Sequence, residues 1–220
     1  DIPKTLLEPI NIVVRGEIFM RKSVFQRINQ ELLDRGERAL VNPRNAAAGA
    51  VRQHDPNVTQ ARSLSFYPYS VIFARSDQRP HLTRHSMWMN YLEELGFHCN
   101  HKQNGLGFLA NGDQLPHLHK FFFDLKSKLD YDIDGVVYKV DDIRMQSILG
   151  FTSKEPRWAI AHKFSAEIAE TVIEAIEIQI GRTGKVTPVA RLKPVFVGGT
   201  TITNVTLHNL SEIHRKDIRV

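Results

Sequence analysis

Asp132-Ile133-Asp134-Gly135-Val136-Val137-Tyr138-Lys139-Val140 is the stretch from which the rest of the chain can be read. β-Branched and aromatic residues run from Val136 to Val140 and are entered through an Asp-Gly step, which predicts a β-strand. Side chains alternate along a strand, so Ile133, Gly135, Val137 and Lys139 share one face. An unpaired ammonium is costly to bury, so a lysine on an apolar face needs a reason. Two readings follow. Either this face is solvated and Lys139 is ordinary, or Lys139 points at a phosphate and Gly135 leaves room for a flat ligand.

Two further stretches bear on that choice. Val13 to Met20 predicts a second strand, with Glu17 as its one carboxylate. Trp158 to Phe164 predicts a third, on which Ala159, Ala161 and Lys163 share a face. Two strands thus each carry a lysine beside very small residues. That arrangement suits a nucleotide lying against a sheet with ammonium groups on its phosphates.

The chain has 220 residues, enough for one full domain or parts of two. No apolar run approaches the roughly 18 residues of a membrane helix, and no signal peptide is visible. A single cysteine, Cys99, excludes an intrachain disulfide and a cysteine-rich zinc site within these residues, and fits a reducing cytoplasm. The net charge of +5 is concentrated late in the chain. Residues 181–220 hold seven basic side chains against two acidic ones, whereas residues 1–180 are balanced. A basic end on a balanced body suits either a polyanion or a plain solvated face.

Along the chain, Ser23 and Gln26 form a capping-box pattern before a helix that Gly36 stops. Asn45 is the expected N-cap of a short helix of small residues over 46–53, flanked by Arg44 and Arg52. Leu64 to Phe73 predicts a strand. Thr83 to Leu95 predicts an amphipathic helix, whose His81 and His85 read as surface residues. A polar loop spans 98–112, and a further helix covers 115–129. Residues 141–150 read as a short helical connection. Beyond Ser165 the pattern changes to strands over 173–180, 186–197 and 200–207, with turns at Gly181-Arg182-Thr183-Gly184 and Gly198-Gly199, which suggests a small barrel. Asn209 with Glu212 caps a closing helix.

The ordered set of motifs resembles the bacterial NAD-dependent DNA ligases. It comprises Val14-Arg15-Gly16-Glu17, Asn42-Pro43-Arg44-Asn45-Ala46-Ala47-Ala48-Gly49, Asp132 to Lys139, Pro156 to Ala161 with Lys163-Phe164, Gly181 to Leu192, and Thr206-Leu207-His208-Asn209. The resemblance implies an α+β fold: an ATP-grasp-like nucleotidyltransferase of antiparallel sheets with helices, then an incomplete OB-fold β-barrel. It implies an adenylation domain over 1–168 and the start of an OB-fold over 169–220. Glu155 and His162 depart from the family pattern.

The implied activity is the sealing of DNA nicks through an enzyme adenylate and a DNA adenylate. Catalytic roles then fall to Lys139, Lys163 and Asp134, and nucleotide binding to Glu17, Lys139, Lys163 and Arg44. DNA binding falls to Arg52, Arg182 and Lys185, with no protein metal site among these residues. NAD and magnesium are the expected cofactors; zinc belongs to the parent outside these residues. Nicked duplex DNA is the expected partner of a cytoplasmic monomer without membrane contact. Lys128-Leu129-Asp130-Tyr131 differs from the family's Lys-x-Asp-Gly motif in Tyr131 and abuts the Lys139 strand, so it is not the nucleophile. The resemblance places that lysine upstream of Val14, before Asp1, and the fragment alone is expected to be inactive. The alternatives are an ATP- or GTP-dependent ligase or capping enzyme, and a non-catalytic nucleic-acid-binding module.

Overall fold

The structure, a computed structural model, describes residues 2–73, 81–99 and 109–220. Most of the loop expected over 98–112 therefore lies outside the described residues. The chain divides into two compact units, Asp1–Phe164 and Ser165–Val220.

In the first unit, β1 (Ile12–Phe19) and β2 (Ser65–Phe73) form an antiparallel pair. The pairing slips between Arg15, opposite Ser70, and Gly16, opposite Pro68, leaving Tyr69 as the extra residue of a bulge. Proline has no amide proton to give a ladder, so Pro68 is tolerated at such a break. Gly16 is required there: a Cβ would meet the Phe66 ring, and the Tyr67 carbonyl at 2.5 Å. Ile12, Val14, Phe66 and Val71 pack on α4 (His85–Glu94) and the turn after it, around the buried Leu92, Leu95, Phe97 and Cys99.

A second core joins Met20, just after β1, and Ile28 of α1 (Lys22–Asp34) to Ala46 and Ala47 of α2 (Pro43–Val51). The small residues of α2 thus serve close helix packing, while Ala48 and Gly49 are exposed. Asn42, not Asn45, caps α2: its side chain accepts from the Asn45 amide at 2.8 Å, and Pro43 takes the first helical position. A short α3 (Pro56–Ala61) follows.

The Ser23–Gln26 capping box does not form. Arg21 is the N-cap of α1, and Asp130 supplies the cap from 107 residues away. Its carboxylate accepts from the Ser23 amide at 2.8 Å and from the Ser23 hydroxyl at 2.6 Å. Leu129 is buried and Tyr131 lies against Phe19. The Lys128–Tyr131 tetrapeptide is therefore a structural junction.

β3 (Gly135–Lys139) and β4 (Ala159–Lys163) form a second antiparallel pair, linked through α6 (Ile143–Leu149). α5 (Leu115–Leu125) packs against part of one face of this pair, and Ile160 on that face stays exposed. There the Tyr138 hydroxyl donates to the Leu115 carbonyl, and His162 stacks on His119 with ring centroids 3.7 Å apart. Glu155, with an exposed side chain, closes a turn through its backbone to Thr152.

The second unit is an open three-stranded antiparallel sheet of β5 (Ile173–Ile180), β6 (Val186–Val197) and β7 (Thr200–Thr206). Ala190 and Val189 are buried at its centre. Asn209 caps α7 (Leu210–Arg215) by accepting from the Glu212 amide at 2.9 Å. Among the described residues no helix is long and apolar enough to cross a membrane.

Candidate functional site

In the β3–β4 ladder Gly135 faces Lys163, Val137 faces Ala161, and Lys139 faces Ala159. Directly opposed residues share a face, so both lysines lie on the side away from α5. They stand at opposite ends of it. Val137 is 60% exposed, and Ala161 and Lys163 are exposed as well, so this face is open between them.

Gly135 has a different reason from room for a ligand. A Cβ there would meet the His162 carbonyl oxygen at 2.5 Å and the Lys163 Cα at 2.6 Å. The glycine lets the two backbones approach at the end of the ladder.

Lys139 is half-buried, and its Nζ donates to the Tyr69 carbonyl at 2.8 Å. Tyr69 is the bulge residue between Ser70, opposite Arg15, and Pro68, opposite Gly16, so the ammonium meets β2 where that strand pairs with the Arg15–Gly16 step of β1. The Tyr69 ring lies 5.4 Å from the same Nζ, a cation–π contact. Burial lowers the lysine from its ordinary 10.5 to about 8. His85 Nε2 stands 3.4 Å from Nζ, and burial, then Lys139, push that imidazole down to about 4. His85 is therefore no surface residue. Its 54-residue separation from Lys139 left no local pattern to reveal the contact.

Lys163 is exposed and lies 3.7 Å from Asp134, also exposed. Glu17 is exposed on β1, opposite Tyr67. Arg44 lies in the first turn of α2 and Arg52 caps its far end, both exposed. In the second unit Arg182 and Lys185 occupy the exposed β5–β6 hairpin tip, where the Gly181 amide donates to the Lys185 carbonyl at 2.8 Å. Arg191, by contrast, is paired with Glu177 at 2.8 Å.

An open sheet face with two lysines and small side chains fits an anionic nucleotide. For a magnesium ion the nearest carboxylate is Asp134, beside Lys163, and no group of three or more His, Cys, Asp or Glu is placed to hold a metal among the described residues. Such an ion would be held mainly by phosphate and water.

Residues 1–167 match the family model of the NAD-dependent DNA ligase adenylation domain, and residues 170–220 match that of the NAD-dependent DNA ligase OB-fold domain. The chain is 47% identical over 226 residues to a DNA ligase of Acinetobacter baumannii (strain AYE), covering 100% of this chain and 32% of that protein. It is 47% identical over 212 residues to a DNA ligase of Neisseria meningitidis (strain ATCC 700532 / DSM 15464 / FAM18), covering 96% of this chain and 25% of that one. The chain thus spans about a third or less of the curated relatives it matches. With matches to both models and these relatives along its length, the chain belongs to the NAD-dependent DNA ligase family.

Proposed function

We propose that this chain is the nucleotide-binding and DNA-facing part of an enzyme that uses NAD to seal nicks between a 5′-phosphate and a 3′-hydroxyl. Residues 1–168 form the adenylation domain in this reading and residues 169–220 the start of the OB-fold. The observation that carries it is the Lys139 ammonium, delivered to the β2 bulge beside Val14–Glu17 and held there by a carbonyl and an imidazole rather than a carboxylate. Its charge remains available to a phosphate.

Adenylate transfer, first to the enzyme, then to the 5′-phosphate, and its displacement by the 3′-hydroxyl are nucleotidyl transfers, for which positioning and charge neutralisation do most of the work. Glu17 accepts from ribose hydroxyls. Lys139 and Lys163 stabilise the charge that builds on the α-phosphate. Asp134 orients Lys163. Arg44 serves the nucleotide, and Arg52, Arg182 and Lys185 serve the DNA backbone. A magnesium ion would neutralise phosphate charge. No Lys-x-Asp-Gly occurs in the 220 residues, so the attacking lysine is supplied by another segment. The enzyme acts as a cytoplasmic monomer.

The test is the intact mass of the full-length protein after incubation with magnesium and either NAD or ATP. We expect an adenylate adduct with NAD alone, and none on the 220-residue chain. An adduct with ATP alone would move the chain to the nucleoside-triphosphate-dependent enzymes. No adduct with either would leave a nucleic-acid-binding module.

A further inference from the structure

His85 opens α4, and its position is fixed by the chain that follows β3. The Asp141 carbonyl accepts from the His85 amide at 2.7 Å. The Asp141 carboxylate accepts from the Ser86 amide at 2.8 Å and from the Ser86 hydroxyl at 3.1 Å. Arg84, the N-cap of α4, provides no side-chain cap, so Asp141 caps this helix from 55 residues away. The Ile143 amide closes the junction by donating to the Thr83 carbonyl at 2.9 Å. Asp141 follows Lys139 by two residues, so the same short segment that carries the lysine also clamps the histidine beside it. Trp158 borders the imidazole from the start of β4, with ring centroids 6.3 Å apart.

We infer that His85 is a positioning residue for Lys139: its neutral imidazole accepts from the ammonium and, with the Tyr69 carbonyl, fixes where that charge sits. The inference rests on the role proposed for Lys139 at a phosphate. A carboxylate in the same place would hold the lysine more strongly but would cancel the charge the phosphate needs. An imidazolium would add a like charge and lose the acceptor. The groups around His85 set this balance. Lys139 faces it from β3, the Tyr69 carbonyl from β2, Asp141 from the segment after β3, and Arg84 lies 3.9 Å from Asp141 on its own element. Burial and Lys139 outweigh Asp141 and the Tyr69 carbonyl, so the ring is neutral at pH 7.

The test follows the Lys139 Nζ resonance in the 220-residue chain labelled with 15N-lysine. In the unmodified chain we expect the resonance to shift with a midpoint near pH 4, coincident with titration of the His85 ring. His85→Gln keeps a neutral acceptor: the ammonium signal persists and the inflection vanishes. His85→Ala loses the slowly exchanging signal. An inflection that survives in His85→Gln does not belong to the imidazole and overturns the inference. So does an unmodified chain without the inflection, or an unchanged signal in His85→Ala. In the full-length protein, His85→Ala slows adduct formation with NAD about tenfold and His85→Gln restores most of it. The resonance reports on this chain without nucleotide, so a failure of the ligase reading, seen as no adduct in the unmodified full-length protein, is distinguishable from a failure here.

Discussion

Lys139 concentrates the conflict between folding and function in one side chain. Its folded-state value of about 8 lies below the ordinary 10.5, so between those values the unfolded chain binds more protons than the folded one. Stability from this group is therefore fully present above pH 10.5, declines as pH falls through that window, and is lost below about 8. Comparing the chain with Lys139→Met by urea unfolding isolates the effect from other lysines and tyrosines. The difference in stability should shift by on the order of 1 kcal/mol between pH 8 and 10.5, in favour of the unmodified chain at the higher pH, once solvent screening is allowed for. A pH-independent difference would show that the ammonium is solvated. The same substitution should lower adenylate formation in the full-length protein by about 100-fold. The ammonium is thus retained at a cost to the fold, a common signature of a functional group.

At the scale of elements, two helices are capped by carboxylates remote in sequence. Asp130 closes α1 and Asp141 closes α4, and each lies in or beside the run of chain that leads into or out of β3. The caps satisfy amides that Arg21 and Arg84 leave without a side-chain partner, and they tie both helices to the strand that carries Lys139. Burial raises the Asp130 carboxyl, but the Ser23 hydroxyl and amide with Arg21 and Lys22 more than offset it, and the net shift is downward. Its contribution is present above the ordinary carboxylate range and is lost as pH falls through its lowered value. Asp130→Ala should cost about 1 kcal/mol at pH 7, read from the urea midpoint. That loss should shrink in acid. A neutral result at pH 7 would mean that the α1 cap carries no stability.

At the scale of the whole molecule, each unit presents cations of its own. In the first they flank an open sheet face and the ends of α2. In the second, Arg182 and Lys185 stand at a hairpin tip, and neither is paired with a carboxylate among the described residues. Arginine and lysine at an exposed turn suit phosphate contacts that carry no sequence information. Replacing both with alanine in the full-length protein should weaken binding to nicked duplex evenly across sequences. It should also reduce the slope of log affinity against log salt by about 1 to 2. An unchanged slope would remove the hairpin from the DNA-facing surface.

Periodicity was enough to place β5 and β6 at their observed limits, Ile173–Ile180 and Val186–Val197, and to set Lys139 and Lys163 each beside small residues on its own strand, because alternation and turn chemistry are local. The ordered motifs identified the family for the same reason. Local pattern misled where a distant group supplied the missing contact. Ser23 looked like half of a capping box, yet Asp130 is the cap; His85 looked like a surface residue, yet Asp141 seats it against Lys139. Gly135 suggested room for a ligand, whereas the approach of the β4 backbone requires it. Hydrogen bonds and burial across 50 to 110 residues of separation leave no trace in a window of neighbours. Pattern along the chain was sufficient for the strands, the family and the small residues beside each lysine; the fold alone put Lys139 and Lys163 on one face and chose the neutral groups that hold Lys139, because strand pairing and those contacts join residues that are not neighbours in sequence.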